Sequence, residues 1–142
     1  MFDNLLMFYL GGTRSASKVL EGYNSSSSTE NKLSLSKLAE RLKYDLSKGN
    51  ISSMGRILGE GWKIKRSISK GITNPEIDDI YDRAVDNGAV GGKLLGAGGN
   101  GFMLFYVEED SQDAVRKALS GYRELRFTFD DDGSKMIYND EM

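Results

Sequence analysis

From Gly91 to Val107 the chain reads GGKLLGAGGNGFMLFYV, a glycine-rich segment followed by an apolar run. The run from Phe102 to Val107 is rich in strand-favouring residues, and a short strand is predicted over Lys93–Leu95. The glycines therefore form a loop between two strands. Glycine lets another group approach the backbone closely, and consecutive exposed N–H groups can form a concavity that binds an anion. We expect this loop to be the functional centre of the chain.

Three familiar phosphate-binding loops do not fit this segment. Gly96, Gly98 and Gly101 have the spacing of the dinucleotide fingerprint, but that motif must open a helix and here a strand follows. A Walker A loop would need a glycine at Asn87 and a Ser or Thr at Leu94. A protein-kinase loop must be accompanied by an H-R-D element, and the chain contains no His.

Outward from the loop, the hydrophobic pattern predicts an antiparallel sheet with helices segregated to one face, an α+β fold. The expected strands are Phe2–Leu10, Lys93–Leu95, Phe102–Val107, the alternating segment Leu125–Phe129 and a returning edge at Lys135–Tyr138. The expected helices cover Arg14–Leu20, Leu35 to near Gly49, Ile51–Trp62, Pro75 to Asn87 and Ser111–Leu119. The polar stretch Gly22–Glu30 is expected to be a mobile loop.

Two predicted helices carry informative details. Asn74-Pro75-Glu76 is a strong helix start, with Asn as N-cap, Pro in the first turn and an acid beside the helix dipole. The preceding helix contains Gly55, Gly59 and Gly61, each of which costs about 0.8 to 1.0 kcal/mol relative to Ala. Close packing against a neighbouring helix would offset this cost. The alternative is that the glycines leave room for a ligand beside Trp62.

Composition restricts the class of protein. At 142 residues the chain can form one independent core, so one domain is predicted. It has no Cys and no His, which removes disulfides and the usual zinc ligands. Its 19 basic and 21 acidic residues give a net charge of −2, which does not favour nucleic acid. The longest apolar run, Leu5–Leu10, is far below the ~20 residues of a membrane helix, so a cytoplasmic protein is expected.

The segment Lys93–Gly101 resembles the third conserved motif of the GHMP kinases, K-L-x-G-A-G-G-x-G followed by a strand. Asn100 stands where glycine is more usual, and Asn tolerates left-handed conformations. Gly11–Ser17, Leu58–Arg66 and Thr73–Asp78 resemble the sugar-kinase branch of that superfamily, particularly the D-glycero-D-manno-heptose 7-phosphate kinases. The resemblance implies that residues 1–142 form one ferredoxin-like GHMP kinase C-terminal domain.

The resemblance also implies a division of roles with an N-terminal domain, which in these kinases carries the ATP-binding loop and the catalytic Asp. We therefore expect this chain to supply no catalytic residue and no metal ligand, and to be inactive alone. ATP and Mg would be bound mainly by that domain, and the substrate would be a heptose phosphate or related sugar, phosphorylated at the anomeric hydroxyl. The residues expected near the transferring phosphate are Gly96, Ala97, Gly98, Gly99, Asn100 and Gly101, and those expected to bind substrate are Thr13 and Arg14. A homodimer is an open alternative to a monomer.

Each site assignment has a plainer alternative. The glycine loop could be a tight structural hairpin, and Thr13 and Arg14 a helix cap and a surface cation. A basic cluster could face an anionic substrate, but a solvated helix face is the favoured interpretation; its members are Lys63, Lys65, Arg66 and Lys70. The acidic run Asp130–Asp132 lacks the alternation of a calcium loop and is interpreted as a turn.

The whole domain has two rival interpretations outside catalysis. Ferredoxin-like domains with a glycine loop can bind small effectors, so a non-catalytic regulatory module is the main alternative. A pure assembly domain is the other, and it would require the apolar strand Leu5–Leu10 to be exposed.

Overall fold

The computed structural model describes residues 2–12, 29–68, 71–96 and 99–135. Its strands are β1 (Leu5–Gly11), β2 (Ala89–Leu94), β3 (Gly101–Val107) and β4 (Arg123–Leu125). Its α-helices are α1 (Thr29–Ser47), α2 (Ser53–Ile68), α3 (Pro75–Asp86) and α4 (Gln112–Ala118), and 3-10 turns at Phe2–Asn4 and Glu109–Ser111 precede β1 and α4. No helix among the described residues is long and apolar enough to cross a membrane.

The four strands form one antiparallel sheet in the order β2-β3-β1-β4. Met7 of β1 lies opposite Leu104 of β3 and opposite Leu125 of β4. Because side chains alternate along a strand, the neighbouring residues point to the other face and pack against the helices. This core contains Leu6, Phe8, Leu94, Met103, Phe105 and Val107 of the sheet, Ile77, Ile80, Tyr81 and Ala84 of α3, Val115 of α4 and Trp62 of α2. The predicted α+β fold, an antiparallel sheet with helices packed on it, is confirmed.

Helix α2 packs against the edge strand β2 through glycines on both elements. A Cβ on Gly91 of β2 would overlap the carbonyl oxygen of Gly55 and lie 3.1 Å from the Cα of Gly59. Gly61 faces α1 instead, where a Cβ would lie 3.8 Å from Leu35 Cδ2. Close packing therefore offsets the glycines of α2, as predicted, but the partner of Gly55 and Gly59 is a strand and not a helix.

The start of α3 also follows the prediction. Asn74 has an extended backbone, and its Oδ1 accepts a hydrogen bond of 2.9 Å from the N–H of Ile77. Pro75 opens the helix and Glu76 lies in its first turn. Local chemistry alone determines this boundary, because the cap, the proline and the acid all act within one turn.

Several predicted boundaries were wrong. β1 begins at Leu5, because a 3-10 turn occupies the residues before it, and β2 begins at Ala89, so that the glycine pair before Lys93 belongs to the strand. The last strand ends at Leu125 rather than at Phe129, whose side chain is 64% exposed. The alternation there is not matched by a buried face, which is what normally holds such a segment in a sheet.

Other predictions fall partly outside the described residues. Those outside include the helix over Arg14–Leu20, most of the loop Gly22–Glu30 and most of the edge strand predicted at Lys135–Tyr138. Thr29 and Glu30, at the end of that predicted loop, belong to α1. Lys135 is described and is not in a strand.

The apolar first strand is only partly exposed, since Tyr9 is 38% exposed and Met7 and Leu10 are half-buried. Leu5, Leu6 and Phe8 are all buried within the chain, and Phe8 packs edge-on against Phe105. The condition that would have favoured a pure assembly domain is therefore not met by these residues.

Candidate functional site

The glycine loop connects β2 to β3 and depends on backbone conformations that favour glycine. Gly96, Gly99 and Gly101 have φ values of +78°, +85° and +114°, a region that side-chain-bearing residues rarely adopt. Among the described residues other than the immediate chain neighbours, no atom lies within 4 Å of the position that a Cβ would occupy on Gly96 or Gly101. Conformation rather than crowding therefore requires glycine there, and the space over both residues is open to another group.

Asn100 differs from the prediction in one respect. It was expected to tolerate a left-handed conformation, but no residue other than glycine has a positive φ among those described. Any residue could adopt its backbone conformation, so conformation does not explain the departure from the usual glycine. Its side chain lies against Gly12, which follows β1, and a Cβ there would come within 2.8 Å of Asn100 Cγ.

The segment before α3 forms hydrogen bonds with Gly99, near the C-terminal end of the loop. The N–H of Gly99 donates to the carbonyl oxygen of Ile72 at 3.0 Å, and Asn74 Nδ2 donates to the carbonyl oxygen of Gly99 at 3.3 Å. At the strand end, the N–H of Leu95 donates to the carbonyl of Phe102 at 2.8 Å. The Gly99 N–H is thus used inside the chain, so in this conformation Gly99 anchors the loop and does not offer that donor to a phosphate.

Asn74 therefore has two roles, of which the sequence revealed one. Its Oδ1 caps α3 while its Nδ2 reaches the loop. Ser, Thr or Asp would cap a helix as well, but Asn is the common capping residue whose side chain also carries a strong N–H donor. That choice of residue is the signal that could have linked the cap to the loop.

Lys65 of α2 contacts Gly96, at the N-terminal end of the loop. Its Nζ donates to the carbonyl oxygen of Gly96 at 2.8 Å. Burial lowers the pKa of Lys65 below its ordinary value, and the nearby charge of Lys93 lowers this pKa further. The favoured interpretation of a solvated helix face is therefore wrong for Lys65, which contacts the glycine loop itself.

The other members of the basic cluster do not point to one anion. Arg66 forms a salt bridge with Asp78 at 3.3 Å and lies over the ring of Tyr81. Thr73 Oγ1 also donates to Asp78, at 2.8 Å, which ties the segment before α3 to the helix. Lys63 is exposed, and Lys70 lies outside the described residues.

The remaining predicted site residues cannot all be placed. Thr13, Arg14, Ala97 and Gly98 lie outside the described residues, so their roles stay predictions. Gly12, which directly precedes Thr13, is next to Asn100 of the loop.

Acidic residues offer little to a metal ion near the loop. Among the described residues, the group of at least three acidic side chains close enough to share an ion is Asp130, Asp131 and Asp132, all exposed. There the N–H of Asp132 donates to Asp130 Oδ1 at 3.0 Å, as in the predicted turn. The described residues of the loop, Gly96 and Gly99 to Gly101, carry no carboxylate.

Comparison with known proteins gives this geometry a context. Residues 42–124 match the family described as GHMP kinases C terminal. The chain is 38% identical over 100 residues to D-glycero-alpha-D-manno-heptose 7-phosphate kinase of Campylobacter jejuni, which covers 68% of this chain and 29% of that protein. It is 33% identical over 120 residues to L-fucokinase/L-fucose-1-P guanylyltransferase of Bacteroides fragilis, covering 80% of this chain and 12% of that protein.

A solved structure supports the same fold. Phosphomevalonate kinase of Streptococcus pneumoniae, solved with phosphomevalonate and AMPPNP, superposes with a TM-score of 0.75 at 15% identity, covering 86% of this chain and 38% of that one. The chain thus spans less than a third of the two curated relatives and little more than a third of the solved structure.

Proposed function

Because the chain belongs to the GHMP kinases through their C-terminal domain, we propose that it forms the C-terminal part of an ATP-dependent sugar kinase. The substrate we propose is a heptose phosphate, phosphorylated at the anomeric hydroxyl. The choice of sugar follows the heptose 7-phosphate kinase relative, and the fucokinase relative also acts on a sugar by its name. The regions of these relatives that the chain does not cover leave room for a separate N-terminal domain.

One observation carries the proposal: a loop of glycines with positive φ is fixed in position by contacts from several elements of the chain. Gly96 and Gly101 leave free space on the side where a Cβ would project. Lys65 and Asn74 fix the carbonyl oxygens of Gly96 and Gly99, which limits how the loop can rearrange. A backbone that is held in place before the reaction stabilises developing charge at little reorganisation cost.

In this proposal the residues of the chain bind and orient while the N-terminal domain supplies the chemistry. ATP would provide the transferred phosphoryl group and Mg would neutralise phosphate charge, both bound mainly by the other domain. The loop from Gly96 to Gly101 would form one side of the phosphate-transfer site, against the N-terminal domain. Thr13 and Arg14, in the segment that follows Gly12 beside the loop, would contact the sugar phosphate, for which a guanidinium can form two parallel hydrogen bonds.

A chimera tests the proposal directly. The part of the Campylobacter jejuni kinase that matches this chain is replaced by residues 1–142, and ADP formation is measured with a heptose 7-phosphate, galactose and fucose. Coupling of the new phosphorus signal to the anomeric proton in ³¹P NMR identifies the position of transfer. We expect turnover of the heptose phosphate only in the two-domain protein, and none with the 142-residue chain alone.

Two glycine variants separate the role of the loop from general backbone strain. Gly96 and Gly49 have nearly equal positive φ values, +78° and +76°, and both have open space at the Cβ position. Replacing either by Ala should cost a similar ~1–2 kcal/mol of stability. We expect Gly96→Ala to lower the kcat of the chimera at least about tenfold, with Gly49→Ala leaving kcat near the parent value. Equal turnover in the two variants would remove the loop from the mechanism.

A further inference from the structure

A cavity of about 360 Å³ lies between α1 and α2, next to the glycine loop. Its volume is within the range of small-molecule sites. Leu35, Leu38 and Leu42 of α1 form one wall, Trp62 lies in the opposite wall, and Lys65 and Lys93 complete the lining. Eight of its ten lining residues are apolar or glycine, and none is acidic. The cavity therefore combines a long apolar surface with positive charge.

The helices leave this space because α1 packs loosely. No residue of α1 is buried, although its leucines recur on the face that is turned toward α2. The three leucines named above would gain contacts if something apolar entered between the helices.

The two lysines are not balanced by acids within the described parts of the chain. Neither Lys65 nor Lys93 forms a salt bridge there, and they are close enough for the charge of one to lower the pKa of the other. Lys65 uses one donor on Gly96, and an ammonium group has three. An anion between the two lysines would relieve their repulsion and use the remaining donors.

Trp62 adds a polar group to the apolar wall. Its side chain is 1% exposed, and its Nε1 is buried with no hydrogen-bond acceptor among the described residues. Such a donor normally has a partner, from the protein, water or a ligand. Trp62 lines the cavity, so a ligand there lies against this side chain.

We propose that this cavity binds an amphipathic anion, a single alkyl chain that carries a phosphate group. The chain would lie among the leucines of α1 beside Trp62, and the phosphate would contact Lys65 and Lys93. None of the described loop residues Gly96 and Gly99 to Gly101 lines this cavity, but Lys65 contacts both the cavity and the loop. A ligand here would contact the side chain that holds the carbonyl oxygen of Gly96.

Fluorescence provides the test, because Trp62 is the one tryptophan of the chain and lines the cavity. The 142-residue chain is titrated with decyl phosphate below its micelle concentration, with decyl glucoside as the uncharged analogue and with inorganic phosphate. We expect saturable binding of decyl phosphate at least about tenfold tighter than either comparison compound. Equal binding of the glucoside, equal binding of inorganic phosphate, or no binding at all would overturn the proposal.

Four variants locate the site. Lys93→Met should weaken decyl phosphate binding about tenfold, whereas Lys63→Met removes the same charge from the exposed face of α2 and should leave binding unchanged. Gly61→Leu fills the cavity with a residue that favours helix, and should abolish binding without lowering the unfolding midpoint. Gly61→Ala places only a methyl group in ordinary contact with α1 and should still bind. Unaltered binding by Gly61→Leu, or equal losses in the two lysine variants, would place the ligand elsewhere.

Discussion

Asn74 both caps α3 and forms a hydrogen bond with the glycine loop, and single substitutions can remove one of these contacts without the other. Asn74→Asp keeps an oxygen that can accept from the N–H of Ile77, but it removes the Nδ2 donor to Gly99. Asn74→Ala removes both contacts. A helix cap contributes about 1 kcal/mol, within a range of roughly 0.5 to 2. The bond to Gly99, long at 3.3 Å, should contribute near the lower end of about 0.5 to 1.5 kcal/mol.

These values predict different stabilities for the two variants. Asn74→Ala should lower the free energy of unfolding by about 1 to 2 kcal/mol. Asn74→Asp should stay within about 0.5 kcal/mol of the parent, because its carboxylate is favoured at a helix N-terminus and compensates for the lost bond. Urea unfolding followed through Trp62 fluorescence measures both, with Asn74→Ser as a control that keeps an acceptor without adding charge.

The glycine loop should respond to the loss of the Nδ2 donor even in the variant that keeps its stability. In Asn74→Asp the Gly99 amide loses a neighbouring restraint, so its hydrogen exchange should speed up severalfold although global stability is kept. In the chimeric kinase this variant should lower kcat/KM by roughly twofold, as expected for about 0.5 kcal/mol of lost positioning. If Asn74→Asp exchanges and turns over like the parent, the contact with Gly99 does not hold the loop and the reasoning fails.

Two further predictions concern α2. Gly91→Ala should destabilise the chain by about 1 to 3 kcal/mol in urea unfolding, because the new Cβ would overlap the backbone of Gly55, which cannot rotate away. The control Gly121→Ala has open space around the new methyl group and should be neutral or stabilising. Equal stability of the two variants would contradict the packing argument. Lys93→Met should raise the pKa of Lys65 toward its ordinary value, because the substitution removes a neighbouring positive charge. A ¹³C NMR titration of the Lys65 side chain measures this pKa. An unchanged pKa would show that Lys93 has no effect on it.

Local chemistry made part of the fold predictable. The start of α3 at Asn74 and the strand–loop–strand order around Gly96 follow from residues that act within one or two turns of chain. The apolar stripes of the helices likewise predicted Ile77 and Trp62 as core residues, and both are buried. These elements needed no knowledge of their tertiary partners.

Tertiary partners decided what the sequence could not predict. Gly91 looks like a loop residue by composition, yet it pairs with β3 as part of β2, and the close approach of Gly55 of α2 leaves no room for a Cβ there. Phe129 lies in a segment that alternates like a strand, but it is exposed and lies outside the sheet, because this segment has no face that is buried against other elements. Lys65 looks like a solvated residue of a helix face, and only the position of the loop above it shows its contact with Gly96.

The glycine loop owes its shape to residues that are distant in sequence. Lys65 reaches it from α2 and Asn74 from the start of α3, while Gly12 at the end of β1 lies against Asn100. All of these contacts lie within this chain, so Gly96, Gly99 and Asn100 are held in place without a partner or a nucleotide. A loop that is already held in place should cost little to order on binding. A ligand in the neighbouring cavity that moves Lys65 would then change the hydrogen bond to Gly96, and so affect the loop without contacting its glycines directly.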